Sequence, residues 1–306
     1  MNRSTELSVV IVSYGVRQYL LPCIGSVIAA CRGIEHEIIV VDNASADGSA
    51  EAVKEQFPGV SLIANQTNAG FAGANNQGYG ISRGEYVLLL NPDTLTGHGA
   101  IKTVLDFMKV TPDAGLAGCR MVDENGEMQK TIRRMPSVAG NIMQALFLDW
   151  LVYSEHKKAT YYRERPFKIG YPNGAFMMVR RSALKDTPLL NEDYFMYAEE
   201  KDLAFRLNRN GYACYFVPGA QIVHYGGKST GQTALPMFLE LQKSQIKYYR
   251  MHYDLPRARM LIASWWLVLL SNYITSIPFM FTNKNNSKYL LFKAALLKYF
   301  QYMREI

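Results

Sequence analysis

Hydrophobic positions in the first 120 residues gather into short unbroken runs separated by longer mixed stretches. Apolar, β-branched runs occupy Leu7–Ser13, Glu37–Asp42, Val60–Ala64, Tyr86–Leu90 and Gly115–Cys119. Runs that do not alternate predict strands buried on both faces, as in a parallel sheet covered by helices. The intervening stretches, near 17–31, 48–57, 71–82 and 98–110, are of helix length. Alternation of this kind predicts an α/β domain. Ligands of such sheets gather outside the carboxyl ends of the strands, so polar residues that directly follow each run are candidates for chemistry.

Past residue 120 the pattern loosens. Asp123-Glu124-Asn125-Gly126 reads as the turn of a hairpin. Residues 137–165 read as helical and then basic and loop-like, and Asn173-Gly174-Ala175 precedes the apolar Phe176–Val179. Helical periodicity covers 195–210, Tyr212–Val217 reads as a strand, and 236–254, 257–281 and 284–304 read as helices. No internal repeat or low-complexity segment is visible.

Each early strand runs into polar residues. Strand one ends in Ser13-Tyr14-Gly15 and strand two in Asp42-Asn43-Ala44-Ser45-Ala46-Asp47-Gly48-Ser49. Strand three leads to Asn68-Ala69-Gly70-Phe71-Ala72-Gly73-Ala74-Asn75-Asn76, and strand four to Asn91-Pro92-Asp93-Thr94. Asp93 at a strand end can hold a divalent cation that neutralises a diphosphate, with Asn91 adding an uncharged oxygen; a turn cap is the plainer alternative. Asp42 can accept from a nucleobase imide or a ribose hydroxyl. Asp47 reads first as a helix cap. No G-x-G-x-x-G follows strand one and no Walker A sequence is present, which disfavours a dinucleotide-dependent dehydrogenase.

The run Tyr197-Ala198-Glu199-Glu200-Lys201-Asp202 holds three carboxylates within four positions. On a helix Glu199 and Asp202 share a face while Glu200 points about a quarter turn away. Crowded carboxylates beside buried aromatics raise a pKa and suit a general base; a solvated helix start is the alternative. His224 follows Ile222-Val223 and precedes the glycine-rich Tyr225-Gly226-Gly227-Lys228-Ser229-Thr230-Gly231. Alone it reads as a core or turn histidine, whereas with Asp93 it offers an oxygen–nitrogen pair that Mg²⁺ or Mn²⁺ accepts.

Together these segments resemble family 2 glycosyltransferases of the GT-A fold. VVIVSYG, IIVVDNASADGS, NAGFAGANNQG, LLLNPDT, PNGAFMMVRR, FMYAEEKDLAFRL and VHYGGKST occur in order from Leu7 to Gly231 and look like the rhamnosyltransferase branch. The resemblance implies a Rossmann-like, mostly parallel central sheet flanked by helices. It divides the chain into a catalytic domain over 1–235, with a nucleotide-sugar half at 1–120 and an acceptor half at 121–235, and a helical extension over 236–306. It implies an inverting enzyme that moves a sugar from a nucleotide-diphosphate donor, dTDP-rhamnose or a UDP-sugar, to a glycan or lipid-linked acceptor in bacterial surface polysaccharide synthesis.

Carried over residue by residue, the resemblance places Asp42 on the base, with Ser13 and Tyr14 lining its pocket. Asn68, Gly70 and Asn76 approach the nucleotide. Asp93 takes the metal-binding place of the D-x-D motif, in which Asn91 replaces the first Asp, and His224 is the second protein ligand. Glu200 stands at the catalytic base, where Asp is more usual, flanked by Glu199 and Asp202. Asn173, Gly174 and Ala175 border the acceptor. The competing readings are a nucleotidyltransferase and a non-catalytic sugar-nucleotide-binding membrane scaffold. The first should carry a basic glycine-rich loop after strand one, where only Arg17 is near.

Charge sharpens the division. The net +7 is unevenly spread: residues 1–110 carry 7 basic and 10 acidic side chains, 111–240 carry 16 and 14, and 241–306 carry 10 and 2. Met260 to Asn283 is uncharged and long enough for a membrane span. Ser264, Ser271, Asn272, Thr275 and Ser276 dilute it, however, while Arg257, Arg259, Lys284, Lys288, Lys293 and Lys298 flank it among aromatics. That pattern matches helices in the headgroup layer and predicts peripheral membrane contact through 257–304; a span or hairpin and a homo-oligomer interface stay open. Nucleic acid is not expected, since no recognised module accompanies the charge. The N-terminal apolar run is too short for a signal peptide, and Cys23, Cys31, Cys119 and Cys214 lack metal or disulfide spacing, so buried thiols of a cytoplasmic protein at the inner membrane face are expected.

Overall fold

The computed structural model describes residues 5–148, 163–185, 187–226, 234–278 and 287–305. The chain divides into two compact units, one made of Met1–Arg134, Arg163–Phe195 and Glu199–Gly231, the other of Met135–Tyr162, Met196–Ala198 and Gln232–Ile306. The first unit begins β1 (Leu7–Ser13), α1 (Arg17–Ala30), β2 (His36–Asp42), α2 (Ser49–Gln56), β3 (Ser61–Ala64), α3 (Gly70–Ile81) and β4 (Tyr86–Leu90). It continues through β5 (Thr94–Thr96), α4 (Ala100–Val110), β6 (Ala114–Val122) and β7 (Ile132–Arg133). After α5 (Val138–Ala145), which belongs to the second unit, follow β8 (Phe167–Ile169), β9 (Tyr171–Pro172), β10 (Phe176–Arg180), α6 (Arg181–Leu184), α7 (Glu199–Arg209) and β11 (Ala213–His224).

Among the described residues, nine strands form one sheet in the order β3-β2-β1-β4-β10-β6-β11-β5, with β8 paired to β11. β3, β2, β1 and β4 run parallel, as do β6 and β11. The unbroken apolar runs explain the centre: every residue of β4 is buried, and so are all of β1 except Val12. Burying each such Leu or Val stabilises the fold by about 1.5–3 kcal/mol. α4 covers the sheet with Ile101, Val104, Leu105 and Met108, spaced along one face.

The strong early periodicity places the elements through β4 to within a residue or two, whereas β5 was not expected and β6 runs three residues past the expected Cys119; the fold is α/β as expected. The sheet is more mixed than the runs alone imply. β10 lies between β4 and β6 and is antiparallel to both. A fully buried antiparallel strand has the same unbroken apolar sequence as a parallel one, so direction is not written in Phe176–Val179. The consequence is functional. Phe176 pairs with Leu90, so the residues that precede β10 arrive at the carboxyl end of β4. β11 also extends beyond the predicted Tyr212–Val217, because a register shift between Val217 and Gln221 accommodates Pro218 and lets the strand continue to His224.

The second unit contains α5, α8 (Ala234–His252), α9 (Leu255–Ser276) and α10 (Ser287–Glu305). Ser137 caps α5 by accepting from the Gly140 amide at 3.0 Å. The buried Asn141 donates to Ser264 Oγ at 3.0 Å, and the Tyr299 hydroxyl donates to the Ile262 carbonyl. Two polar residues of the uncharged run, Ser264 and Ser276, are thus buried inside the unit, whereas Met260, Leu267 and Ile274 are exposed. Among the described residues no helix is long and apolar enough to cross a membrane. Part of the expected tail, including Phe279-Met280-Phe281 and Lys284, lies outside the described residues, as do residues 149–162 of the segment read as helical and then basic, and most of the glycine-rich segment after Tyr225.

Candidate active site

The carboxyl edge of the sheet collects residues from several segments of the first unit. Ser13 and Asp42 are directly paired at the ends of β1 and β2. Both are buried, and Ser13 Oγ and Asp42 Oδ1 have no hydrogen-bond partner among the described residues. Asp42 Oδ2 accepts from the Ser45 amide at 3.1 Å, in a loop where Ala44 adopts a left-handed φ of 67°. A hydroxyl and a carboxylate oxygen at the ends of two neighbouring strands thus have hydrogen bonds that a ligand or a water can complete. Tyr14, next along, is 49% exposed.

Asn43, which the sequence reading passed over, ties this corner together. Its Oδ1 accepts from the Ala69 amide at 2.9 Å and from Asn65 Nδ2 at 3.1 Å, and its Nδ2 donates to Asn68 Oδ1 at 2.8 Å. Asn68 Oδ1 also accepts from the Gly70 amide at 2.9 Å, so the Asn68 side chain caps the start of α3. Gly70 has φ of 74°, and a Cβ there would lie 2.9 Å from the Phe195 carbonyl oxygen, so only glycine fits. Asn76 is committed elsewhere: its amide donates to the Leu190 carbonyl and to Glu192, and its oxygen accepts from the Leu190 amide. Asp47 behaves as a cap, accepting from Ser49 and from the Arg17 amide at 2.7 Å; burial opposes its ionisation, but these donors outweigh it and lower its pKa.

Asp93 and His224 are both buried and meet at 3.5 Å, Oδ1 to Nε2. The pairing of His224 with Thr94 and the bond from the Tyr225 amide to the Asp93 carbonyl at 2.9 Å hold the two backbones together. Gln129, also absent from the sequence reading, contacts His224 twice: Oε1 to Nδ1 at 2.8 Å and Nε2 to the backbone carbonyl at 2.6 Å. No group of three or more His, Cys, Asp or Glu able to hold a metal occurs among the described residues. A carboxylate and an imidazole facing each other away from water fit a divalent cation whose remaining ligands come from a substrate.

The expected acceptor border is adjacent. The Asn91 amide donates to the Ala175 carbonyl at 3.1 Å, and Asn173 Oδ1 accepts from the Ala175 amide at 3.0 Å. Gly174 carries the half-buried Glu200. A Cβ at Gly174 would lie 3.2 Å from Glu200 Cγ and Cδ and would collide with Oε1. Burial pushes the Glu200 carboxyl above the usual carboxylate range, against the pull of Arg133, Lys201 and the Gly174 amide. Burial also draws the Lys201 ammonium down to about 7, although Glu200 and Glu199 favour its charge.

The other two carboxylates differ from Glu200. Glu199 and Asp202 are buried, on the face they share in α7. Asp202 Oδ2 accepts from Arg206 Nε at 2.7 Å, and Arg206 in turn holds the carbonyls of Pro188 and Leu189. The Asp202 carboxylate is therefore occupied by the fold, and among the described side chains Glu200 is the one set against Gly174. The expected thiols are free and buried, and burial raises the pKa of Cys23 to about 12.

Residues 8–187 match the family described as Glycosyl transferase family 2. The chain belongs to that family. This decides between the readings left open by the sequence: the protein is a glycosyltransferase rather than a nucleotidyltransferase or a scaffold. Among curated relatives it is 32% identical over 213 residues to the N-acetylglucosaminyl-diphospho-decaprenol L-rhamnosyltransferase of Mycobacterium tuberculosis, covering 64% of this chain and 68% of that one. It is 24% identical over 225 residues to rhamnosyltransferase WbbL of Escherichia coli, covering 71% and 82%. Among solved structures, the mannosyltransferase PcManGT of Pyrobaculum calidifontis, in complex with GDP-Man and Mn²⁺, superposes with a TM-score of 0.61 at 14% identity, covering 98% of this chain and 88% of that one. That likeness shows that this family 2 chain has the GT-A fold.

Proposed function

We propose that this family 2 glycosyltransferase moves rhamnose from dTDP-rhamnose, or a related hexose from a UDP-sugar, onto a hydroxyl of a lipid-linked saccharide, with inversion, in bacterial cell-surface glycan synthesis. The observation that carries the reading is a link between its two halves: the Asn91 amide, beside Asp93, bonds to Ala175, beside the Gly174 on which Glu200 rests. On this reading the diphosphate leaves on the Asp93 side of that link and the proton is accepted on the Glu200 side. The relatives' activities support rhamnose and a diphosphate-linked lipid acceptor.

Ser13 and Asp42 bind the nucleobase through their unmet hydrogen bonds. Asp93 and His224 hold Mg²⁺ or Mn²⁺, with Asn91 alongside; the bound cation supplies neutralisation of the departing diphosphate. Glu200 accepts the proton of the acceptor hydroxyl as its oxygen bonds to the anomeric carbon. The bond from that carbon to the diphosphate oxygen breaks in the same step, and the nucleoside diphosphate leaves with the bonding electrons. A carboxyl raised by burial is a stronger base once ionised, which suits this task. Asn173 and Gly174 border the acceptor, and Glu199 sits beside the base.

Membrane contact through 257–304 fits the surface of the second unit. α9 and α10 expose Met260, Leu267, Ile274, Leu297 and Phe300, with Arg257, Arg259, Lys293 and Lys298 on the same helices. Apolar side chains framed by cations bind anionic headgroups at the inner face of the cell membrane. The test is a donor panel of UDP-, GDP- and dTDP-sugars with polyprenyl-diphosphate-linked saccharide, followed by mass. Product gained from dTDP-rhamnose and lost in Asp93→Ala is expected; no transfer from any donor overturns the reading. Sedimentation with phosphatidylglycerol vesicles at low salt is expected, and its absence overturns the membrane part alone.

A further inference from the structure

We infer that Gln129 is a positioning residue which locks the His224 ring in the tautomer whose Nε2 lone pair faces Asp93. The inference rests on the reading of Asp93 and His224 as cation ligands. Gln129 arrives by a tight turn: Asp123 Oδ1 accepts from the Asn125 and Glu127 amides at 2.9 and 2.8 Å, and Gly126 has a left-handed φ of 80°. The Gln129 amide then bonds to the Met121 carbonyl at 3.0 Å, which brings its side chain beside the end of β11.

The chemistry of the two contacts fixes the protons. The His224 carbonyl can only accept, so the group 2.6 Å from it must be the Gln129 NH₂. Oε1 is then the atom 2.8 Å from Nδ1, and as a carbonyl oxygen it also only accepts. Nδ1 therefore carries the hydrogen, and a neutral ring presents its lone pair at Nε2, 3.5 Å from Asp93 Oδ1. Backbone pairing with β5 fixes where His224 stands but leaves the ring free to turn; the Gln129 amide removes that freedom. Second-sphere partners of this kind orient ligating histidines and raise their basicity.

The test compares full-length wild type, Gln129→Leu and Gln129→Glu, each checked for folding by thermal melting. Imidazole ¹⁵N shifts report the tautomer, and paramagnetic resonance of free Mn²⁺, titrated with dTDP present, reports affinity. Wild type is expected to hold the hydrogen on Nδ1. Gln129→Leu should mix tautomers and weaken Mn²⁺ by about 10- to 100-fold. Gln129→Glu keeps an acceptor against Nδ1 while losing the bond to the carbonyl, so it should retain affinity within a few fold. A merely structural tie would make Glu as damaging as Leu, and that result overturns the inference, as does Mn²⁺ binding by Gln129→Leu equal to wild type. If the Leu variant does not fold, the Glu variant decides by the same criterion. Wild type that binds no Mn²⁺ with any nucleoside diphosphate instead overturns the cation reading itself, a distinct outcome.

Discussion

Gly174→Ala separates the fold from the chemistry. The added Cβ meets the carboxylate end of Glu200, with Cγ and Cδ 3.2 Å away and Oε1 closer still, and no other atom is nearer. Because the obstacle is the far end of a flexible side chain, the backbone can stay in place while the carboxylate retreats by on the order of 1 Å. Displacement of that size at a reacting group costs about 10²-fold in rate, or about 2.7 kcal/mol of transition-state stabilisation. The Glu200 pKa should also climb further, since the Gly174 amide helps hold the charge. The assay is nucleotide release in the presence of acceptor, with donor affinity by calorimetry and melting temperature measured on the same samples. Turnover should fall about a hundredfold with donor affinity and melting nearly unchanged. Turnover within threefold of wild type would refute the placement of Glu200 at the reacting centre.

Three further outcomes follow from the site. Glu200→Gln should abolish transfer yet stabilise the protein: a carboxyl whose folded pKa is raised contributes most at low pH and loses that contribution as pH climbs through the raised value, so the variant should gain over wild type at neutral pH in urea unfolding, and activity of wild type should rise with pH above the ordinary carboxylate range. Asp202→Ala leaves Arg206 without its buried partner and should cost about 3–5 kcal/mol by chemical denaturation. Asp42→Asn removes the acceptor with the unmet oxygen and should weaken nucleotide binding by about 1.5–3 kcal/mol, measured as dTDP affinity, without loss of stability.

The candidate site was legible where chemistry sits directly at a strand end. Ser13, Asp42 and Asp93 follow unbroken apolar runs, and their place at the sheet edge needs only the topology of parallel strands. Gln129, Arg133 and Asn43 were not legible, because none lies in a pattern of its own: each acquires a role from a neighbour distant in sequence, His224, Glu200 or Asn68. The Arg133-Arg134 pair and the Lys201 within the acidic run were the available signals. Asn76 and Asp202 illustrate the converse. The family resemblance put them among candidates, while a turn 114 residues away in sequence claims the first and an i,i+4 arginine claims the second.

Local physics within the sequence therefore determined the alternation of buried strands and covering helices, the strand-end carboxylates and the concentration of positive charge after residue 240. Periodicity and composition act over a few residues, so they carry that much. Only the tertiary structure decided that β10 enters the sheet antiparallel, which delivers Gly174 to the end of β4 and lets it carry Glu200. It also decided which carboxylate of the acidic run is bound by an arginine and which rests against Gly174. Those outcomes depend on strand direction and on partners tens of residues apart, and burial raises a carboxyl's pKa only once the chain has folded around it.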